Sequence, residues 1–191
     1  DADKFIYQTR RDGYNHLYLM SVSGGEPKQL TKGEFEVLQF LGFHAASKSV
    51  IIKSNEASPI RHNLYAVNLK TLKRTLLDNG RGTHRATLSA GGAWLLDRWS
   101  APDTFRQTEL VSTGGAKSVV LQTDGTPWKD YEVPEISGGT IKAADGKTDL
   151  YYRLVKPVGF DPAKKYPAVV YVYGGPHAHN VDESWNYLMR P

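Results

Sequence analysis

The feature that most restricts this chain is a degenerate internal repeat over residues 1–130. His16-Leu-Tyr-Leu-Met-Ser-Val-Ser-Gly-Gly-Glu-Pro-Lys-Gln-Leu-Thr-Lys-Gly33 is echoed by Asn63-Leu-Tyr-Ala-Val-Asn-Leu-Lys-Thr-Leu-Lys-Arg-Thr-Leu-Leu-Asp-Asn-Gly80. Leu17 matches Leu64, Leu30 matches Leu77 and Gly33 matches Gly80, each at an offset of 47 residues. A weaker third copy runs from Thr108 to Leu121, with Gly24-Gly25 matched by Gly114-Gly115. Between the copies sits a second unit: Phe43 to Ile52 is matched by Leu88 to Leu96, and Lys4 to Gln8 reads as the strand half of an earlier copy. A period of about 45 residues, holding four short strands and Gly/Asp/Asn turns, is the signature of a propeller blade. Sustained helical periodicity is missing, which disfavours a helical repeat. The alternative is an ordinary β-sandwich whose hairpins resemble one another by coincidence.

The count of copies matters. Residues 1–130 supply fewer than three blades, whereas propellers close with about four to eight. An open array leaves strand edges and sheet faces uncovered. The chain is therefore expected to be part of a larger protein, and its start at Asp1-Ala-Asp-Lys4 is expected to be that of a mature or excised piece.

Composition narrows the function classes. The 191 residues are 40% hydrophobic and 23% charged, with eleven Tyr and four Trp, which suits a soluble domain rich in strands. The formal charge is +4, but Lys and Arg are scattered in runs of at most two; a nucleic-acid partner is not expected. Cysteine is absent, excluding disulfides, thiolate metal sites and a cysteine nucleophile, and fitting an oxidising compartment. No apolar run approaches the ~20 residues of a membrane span.

From Trp128 to Glu135 the repeat lapses between Pro127 and Pro134, so a boundary is placed there: blades over 1–134 and a second domain over 135–191. Asp145-Gly146 between the extended runs Gly139–Ala143 and Leu150–Val155 predicts a hairpin. Pro157 to Pro167 reads as a loop holding one helical turn, with Asp161 as its N-cap. Ala168 to Val172 is a near-continuous apolar run, the pattern of a strand buried on both faces of a parallel sheet. It is expected to span 168–173 and to stop at Tyr173-Gly174-Gly175-Pro176, where two glycines permit a tight turn and a proline ends the pairing. Such a strand delivers the Tyr173 hydroxyl to the rim of an α/β sheet, where ligands bind.

Phe160-Asp-Pro-Ala-Lys-Lys-Tyr-Pro-Ala-Val-Val-Tyr-Val-Tyr-Gly-Gly-Pro-His-Ala178 resembles the start of the catalytic domain in the prolyl oligopeptidase family of serine peptidases. Within that family it is most similar to the dipeptidyl peptidase IV branch and its prolyl tripeptidyl peptidase relatives. Asp12-Gly-Tyr-Asn-His-Leu-Tyr18 and Asn55-Glu-Ala-Ser-Pro59 extend the resemblance across nearly the whole chain. The resemblance implies a mainly β chain: a partial β-propeller of about three four-stranded blades, followed by the first strands of an α/β-hydrolase. It implies release of di- or tripeptides from free N-termini, often after proline. In relatives the tyrosine matching Tyr173 donates its hydroxyl to the tetrahedral oxyanion, and Gly174 and Gly175 would support its turn. No G-x-S-x-G occurs in the 191 residues, so the nucleophile would lie downstream and the chain alone would be inert.

The other candidates are weaker. His177 and His179 alternate beyond the turn but have no evident third ligand, so neither a metal nor another cofactor is expected. Glu34, Glu36 and Glu56 read as ordinary surface carboxylates, since the amine-anchoring glutamates of relatives come from an earlier propeller segment; the substrate-binding residues stay unassigned. Trp94 and Trp99 read as blade packing, and Lys164-Lys165 as a solvated turn. The expected partner is a peptide with a free N-terminus. The intact enzyme is expected to be a homodimer, in the periplasm, secreted or at the cell surface. Residues 174–191 are expected to be disordered in isolation, or paired with a second copy. Two rivals stay open: a non-enzymatic propeller module that binds protein or peptide, and an acylaminoacyl peptidase or oligopeptidase of the same family.

Overall fold

The computed structural model describes residues 3–115, 117–125, 129–175 and 179–185. All regular structure among them is β. The strands are β1 (Lys4–Thr9), β2 (His16–Ser21), β3 (Lys28–Gln29), β4 (Val37–His44), β5 (Ser49–Ser54), β6 (Asn63–Asn68) and β7 (Arg74–Leu76). They continue with β8 (Thr83–Leu88), β9 (Trp94–Ala101), β10 (Thr104–Ser112), β11 (Ser118–Thr123), β12 (Ile136–Lys142) and β13 (Asp149–Val155). Contacts group Asp1–Asp124 and Glu183–Pro191 into one unit and Gly125–Asp182 into a second.

In the first unit every strand pairs antiparallel with its neighbour in sequence, giving the sheets β1-β2-β3, β4-β5-β6-β7 and β8-β9-β10-β11. These are the blades the repeat predicts. The first sheet differs from expectation in having three strands rather than four: β1 occupies the place of β5 and β9, and no described residue pairs with its outer edge.

The middle sheet is the core. Along β5 (SVIIKS) successive side chains point to opposite faces, and Val50, Ile51 and Ile52 are all fully buried. Val50 and Ile52 pack with Leu17, Leu30, Phe35, Val37, Tyr65 and Val67 towards the first sheet. Ile51 packs with Leu64, Ala66, Leu77, Leu95 and Val111 towards the third. A fully buried aliphatic side chain of this size contributes about 1.5–3 kcal/mol, so the two clusters, one on each side, hold the three sheets in a stack.

The 47-residue offset marks more than matching leucines. The Leu30 amide donates to the Leu17 carbonyl (2.8 Å), and the Leu77 amide to that of Leu64 (2.9 Å). Beside each pair a polar side chain closes the end of the sheet. Thr31 Oγ1 accepts from the Leu17 amide (3.0 Å) and meets His16 Nδ1 (3.1 Å). At the equivalent place Asp78 accepts from the Leu64 amide (2.6 Å) and from Asn63 Nδ2 (3.0 Å). His16 Nε2 faces the Gly33 carbonyl, which can only accept, so Nε2 donates there (3.0 Å).

A second buried histidine is placed differently. His84 on β8 faces two acceptors: its Nδ1 meets Asp97 Oδ2 at 2.6 Å, and its Nε2 meets the Arg81 carbonyl at 2.8 Å. Both nitrogens must donate, which is the imidazolium form. Asp78 Oδ2 lies 3.7 Å from Nε2, and the Trp99 indole stacks on the ring at 5.5 Å, a favourable neighbour for a cation. Burial works against the charged ring, yet the bond to Asp97, the charges of Asp78 and Asp97 and the Arg81 carbonyl outweigh it, so the His84 pKa is raised above 6.5. Lys53 of the middle sheet is held low by burial and by Arg85, with Asp97 pulling the other way.

The sign of the resulting pH effect follows from linkage. The folded state holds the His84 proton more tightly than the unfolded chain does, so its stabilisation is complete below pH 6.5 and is lost as pH rises through the raised folded value. Asp78, raised chiefly by burial, acts in the same direction from its ordinary 3.8 upwards. The urea unfolding midpoint of the chain is therefore expected to fall between about pH 6 and pH 9. In His84→Gln it should start lower and show no fall over that range; a flat wild-type profile would contradict the charged assignment.

Candidate functional site

The candidate site is best approached from the second unit's hairpin. β12 and β13 pair in register from Ile136↔Val155 to Lys142↔Asp149. Gly146 adopts φ +68° in the connecting turn, and Asp145 accepts from the amides of Lys147 (2.8 Å) and Thr148 (2.9 Å), so the Asp-Gly signal is borne out. The Asp161 segment forms a turn rather than a helix: Asp161 Oδ1 accepts from the Ala163 amide (2.9 Å) and its carbonyl from the Lys164 amide (3.0 Å). Lys164 and Lys165 are exposed there.

The expected strand over 168–173 is not formed. The segment belongs to no ladder, and Val169 and Val170 are 97% and 83% exposed. The physical reason lies in the run itself. A strand apolar on both faces needs neighbouring strands for its backbone and cover for both sets of side chains. The described residues of its unit supply only one other pair of strands, already matched to each other.

Tyr173 closes this segment with its side chain roughly half exposed. Gly174 takes φ +65°, a left-handed conformation that a Cβ would strain. At Gly175 a Cβ would lie 2.7 Å from Tyr173 Cε1, so the ring folds back across the glycine. The three residues thus form one local object: an exposed phenol, a left-handed glycine, and a glycine whose missing side chain leaves room for the ring. A neutral hydroxyl held this way can donate a hydrogen bond to a developing anion.

The remaining candidates separate clearly. His177 lies outside the described residues, as does Pro176; His179 is exposed. Among the described residues no group of three His, Asp or Glu is placed to hold a metal. Glu34 is exposed, as a surface carboxylate should be, but Glu36 and Glu56 are not free surface groups. Glu36 accepts from the Asn15 amide (2.8 Å) and lies 3.5 Å from Arg10 Nε. Glu56 takes Arg74 through three bonds of 2.6–2.8 Å, and the guanidinium rests 5.1 Å from the centre of the Phe35 ring. Trp99 is buried and donates to Glu109 (2.8 Å), as blade packing requires, whereas Trp94 is 40% exposed. A cleft in the first unit is bordered by Ser47, Asn68, Thr71, Lys73 and Thr113, and no carboxylate or imidazole lines it.

The comparisons decide the family. Residues 1–106 match the family model described as the dipeptidyl peptidase IV (DPP IV) N-terminal region. The chain belongs to the dipeptidyl peptidase IV family. Among proteins similar to it, a "probable dipeptidyl peptidase 4" of Aspergillus flavus is 35% identical over 98% of this chain, and a dipeptidyl peptidase 4 of Trichophyton rubrum is 33% identical over 92%. Of solved structures, one described as a dipeptidyl aminopeptidase IV from Bacteroides ovatus has a TM-score of 0.87 and 43% identity over 97% of this chain. Porphyromonas gingivalis dipeptidyl peptidase 4 has a TM-score of 0.86 and 29% identity over 96%. The chain spans only about a quarter of these relatives, between 23% and 29% of their length. For this DPP IV-family chain, the three sheets are accordingly a partial β-propeller.

Glu56 tests the reassignment of the glutamates. If its work is structural, single Glu56→Ala and Arg74→Ala changes and their double variant should show a coupling of about 1–2 kcal/mol in urea unfolding. Additive effects would return Glu56 to the surface carboxylates.

Proposed function

We propose that this chain is the last part of the propeller, residues 1–134, and the opening of the α/β-hydrolase, residues 135–191, of a serine exopeptidase that releases dipeptides from free peptide N-termini, with proline preferred at the cleaved bond. Membership of the DPP IV family supports the peptidase reading, and the names of the relatives support dipeptides over tripeptides. The observation that carries the reading is the Tyr173-Gly174-Gly175 turn: it holds a phenol at the surface of a segment built to be a sheet strand.

In this reading the substrate acyl carbon is attacked by a serine from sequence downstream of residue 191, activated by a histidine and an aspartate from that same sequence. As the tetrahedral intermediate forms, negative charge gathers on the former carbonyl oxygen, and the Tyr173 hydroxyl donates to it. A donor of this kind, fixed before the charge develops, is worth about 3–4 kcal/mol in the transition state. Tyr173 itself is neither nucleophile nor base, so the 191 residues alone turn over no substrate.

The test uses the intact enzyme and an N-terminally free Xaa-Pro anilide. Tyr173→Phe is expected to lower kcat about 100-fold or more while leaving KM nearly unchanged, the mark of an interaction made only in the transition state. Wild-type turnover by the variant would remove the assignment. A full-length gene lacking G-x-S-x-G after residue 191 would favour a binding module instead.

A further inference from the structure

Glu183 to Trp185 group with the first unit by their contacts. The Glu183 amide donates to the Ile60 carbonyl (2.9 Å), and Arg61 Nε donates to Glu183 Oε2 (2.6 Å). Two residues on, the Trp185 amide donates to Ser100 Oγ (3.1 Å), and its indole meets Phe105 edge-on at 5.1 Å. Ile60 and Arg61 lie in the β5–β6 loop of the middle sheet, whereas Ser100 and Phe105 lie at the end of β9 and the start of β10 in the third. The seam between these two sheets changes character at this corner. Elsewhere Ile51, Leu64, Leu77, Leu95 and Val111 close it with apolar packing. Here the His62 amide donates to the Gly82 carbonyl (3.3 Å) and the His84 amide to that of His62 (2.9 Å), and polar side chains replace the apolar ones. Asp78 from the middle sheet's side meets His84 of the third at 3.7 Å, while Thr83 Oγ1 and Asp97 Oδ1 are buried with no hydrogen-bond partner among the described residues. A seam that buries unpartnered polar atoms opens to water at lower cost than an apolar one.

We propose that Glu183–Trp185 is a strap that keeps the polar end of this seam closed. Each half of it works on a different sheet: Glu183 through Ile60 and Arg61, Trp185 through Ser100 and Phe105. Two residues of chain reach at most about 7 Å, so the sheets cannot part at this corner while both halves hold. The first half is fixed twice, by the Glu183 amide and by its carboxylate. Arg61 suits the carboxylate because its guanidinium is a planar fork, and the pair is partly shielded, with side chains 39% and 23% exposed. The second half joins a backbone hydrogen bond to an aromatic pair in the edge-on arrangement that such rings favour. The strap lies wholly within the first unit, and it goes beyond the oxyanion reading without depending on it.

The experiment is amide hydrogen exchange on the full-length protein, read by mass spectrometry on peptides covering 60–64 and 82–86, with the β1–β2 hairpin as internal reference. Trp185→Ala is expected to speed exchange in both seam peptides about tenfold and to leave the reference unchanged. Glu183→Gln, a nearly isosteric change, should speed it about threefold. Adding Arg61→Ala to Glu183→Gln should contribute little more, because the pair is already broken. Wild-type exchange at the seam in Trp185→Ala would overturn the proposal. So would an equal rise in the seam and the reference, which marks a general loss of stability, or effects of Glu183→Gln and Arg61→Ala that multiply in full. None of these outcomes touches the Tyr173 assignment, which the kcat of Tyr173→Phe decides.

Discussion

Two-sided burial of a sheet is the constraint on which the rest of this structure depends. A strand with a run of consecutive apolar residues can be buried only if something covers both faces. β5 meets that condition because its sheet is the middle one of three: Val50 and Ile52 go to one neighbour, Ile51 to the other. The flanking sheets each have only one covered face among the described residues, and their strands show it. β9 alternates buried Leu95, Asp97 and Trp99 with exposed or half-exposed positions, while β11 is exposed throughout. The same constraint explains the 168–173 segment, a two-faced apolar run with no partner strand among the described residues of its unit.

Polar groups inside the stack repeat the logic of the blade while changing its chemistry. Position 31 and its equivalent 78 do the same mechanical job, tying the first residues of a strand to the loop that follows its hairpin. Threonine does it without charge, and His16 beside it meets Thr31 through Nδ1 and the Gly33 carbonyl through Nε2. Aspartate does it with charge, and the nearby imidazole of His84 is then held between Asp97 on Nδ1 and, on Nε2, the Arg81 carbonyl with Asp78 beside it. A buried ion pair of this sort is weak evidence of extra stability, but it makes this sheet boundary sensitive to pH.

The blade architecture was legible because repeats expose themselves at fixed offsets: Leu17 with Leu64, Leu30 with Leu77, and the glycine pairs of the hairpin turns. Asp145-Gly146 was legible because its turn is local. Thr31 and Asp78 hid behind the same regularity. They occupy matching positions, yet threonine and aspartate share no pattern of polarity or size, and only their bonds to the Leu17 and Leu64 amides show them to be equivalent. The Glu36 and Glu56 contacts, His84–Asp97 and Arg61–Glu183 are products of folding between distant segments, which no spacing rule encodes. The missing strand marks a different limit. The run Ala168–Val172 states what environment it prefers, and the described residues do not provide it.

That mismatch bears on how such an enzyme would divide its labour. A phenol can act on a transient oxyanion only if its position is settled before the charge appears, and the hydrophobic preference of its own segment is not satisfied within its unit. Gly174 and Gly175 set the geometry locally by folding the ring back on the turn; further along, Glu183 bonds Arg61 (2.6 Å) and Trp185 meets Phe105 (5.1 Å) within the first unit, so the disorder expected over 174–191 does not describe these two residues.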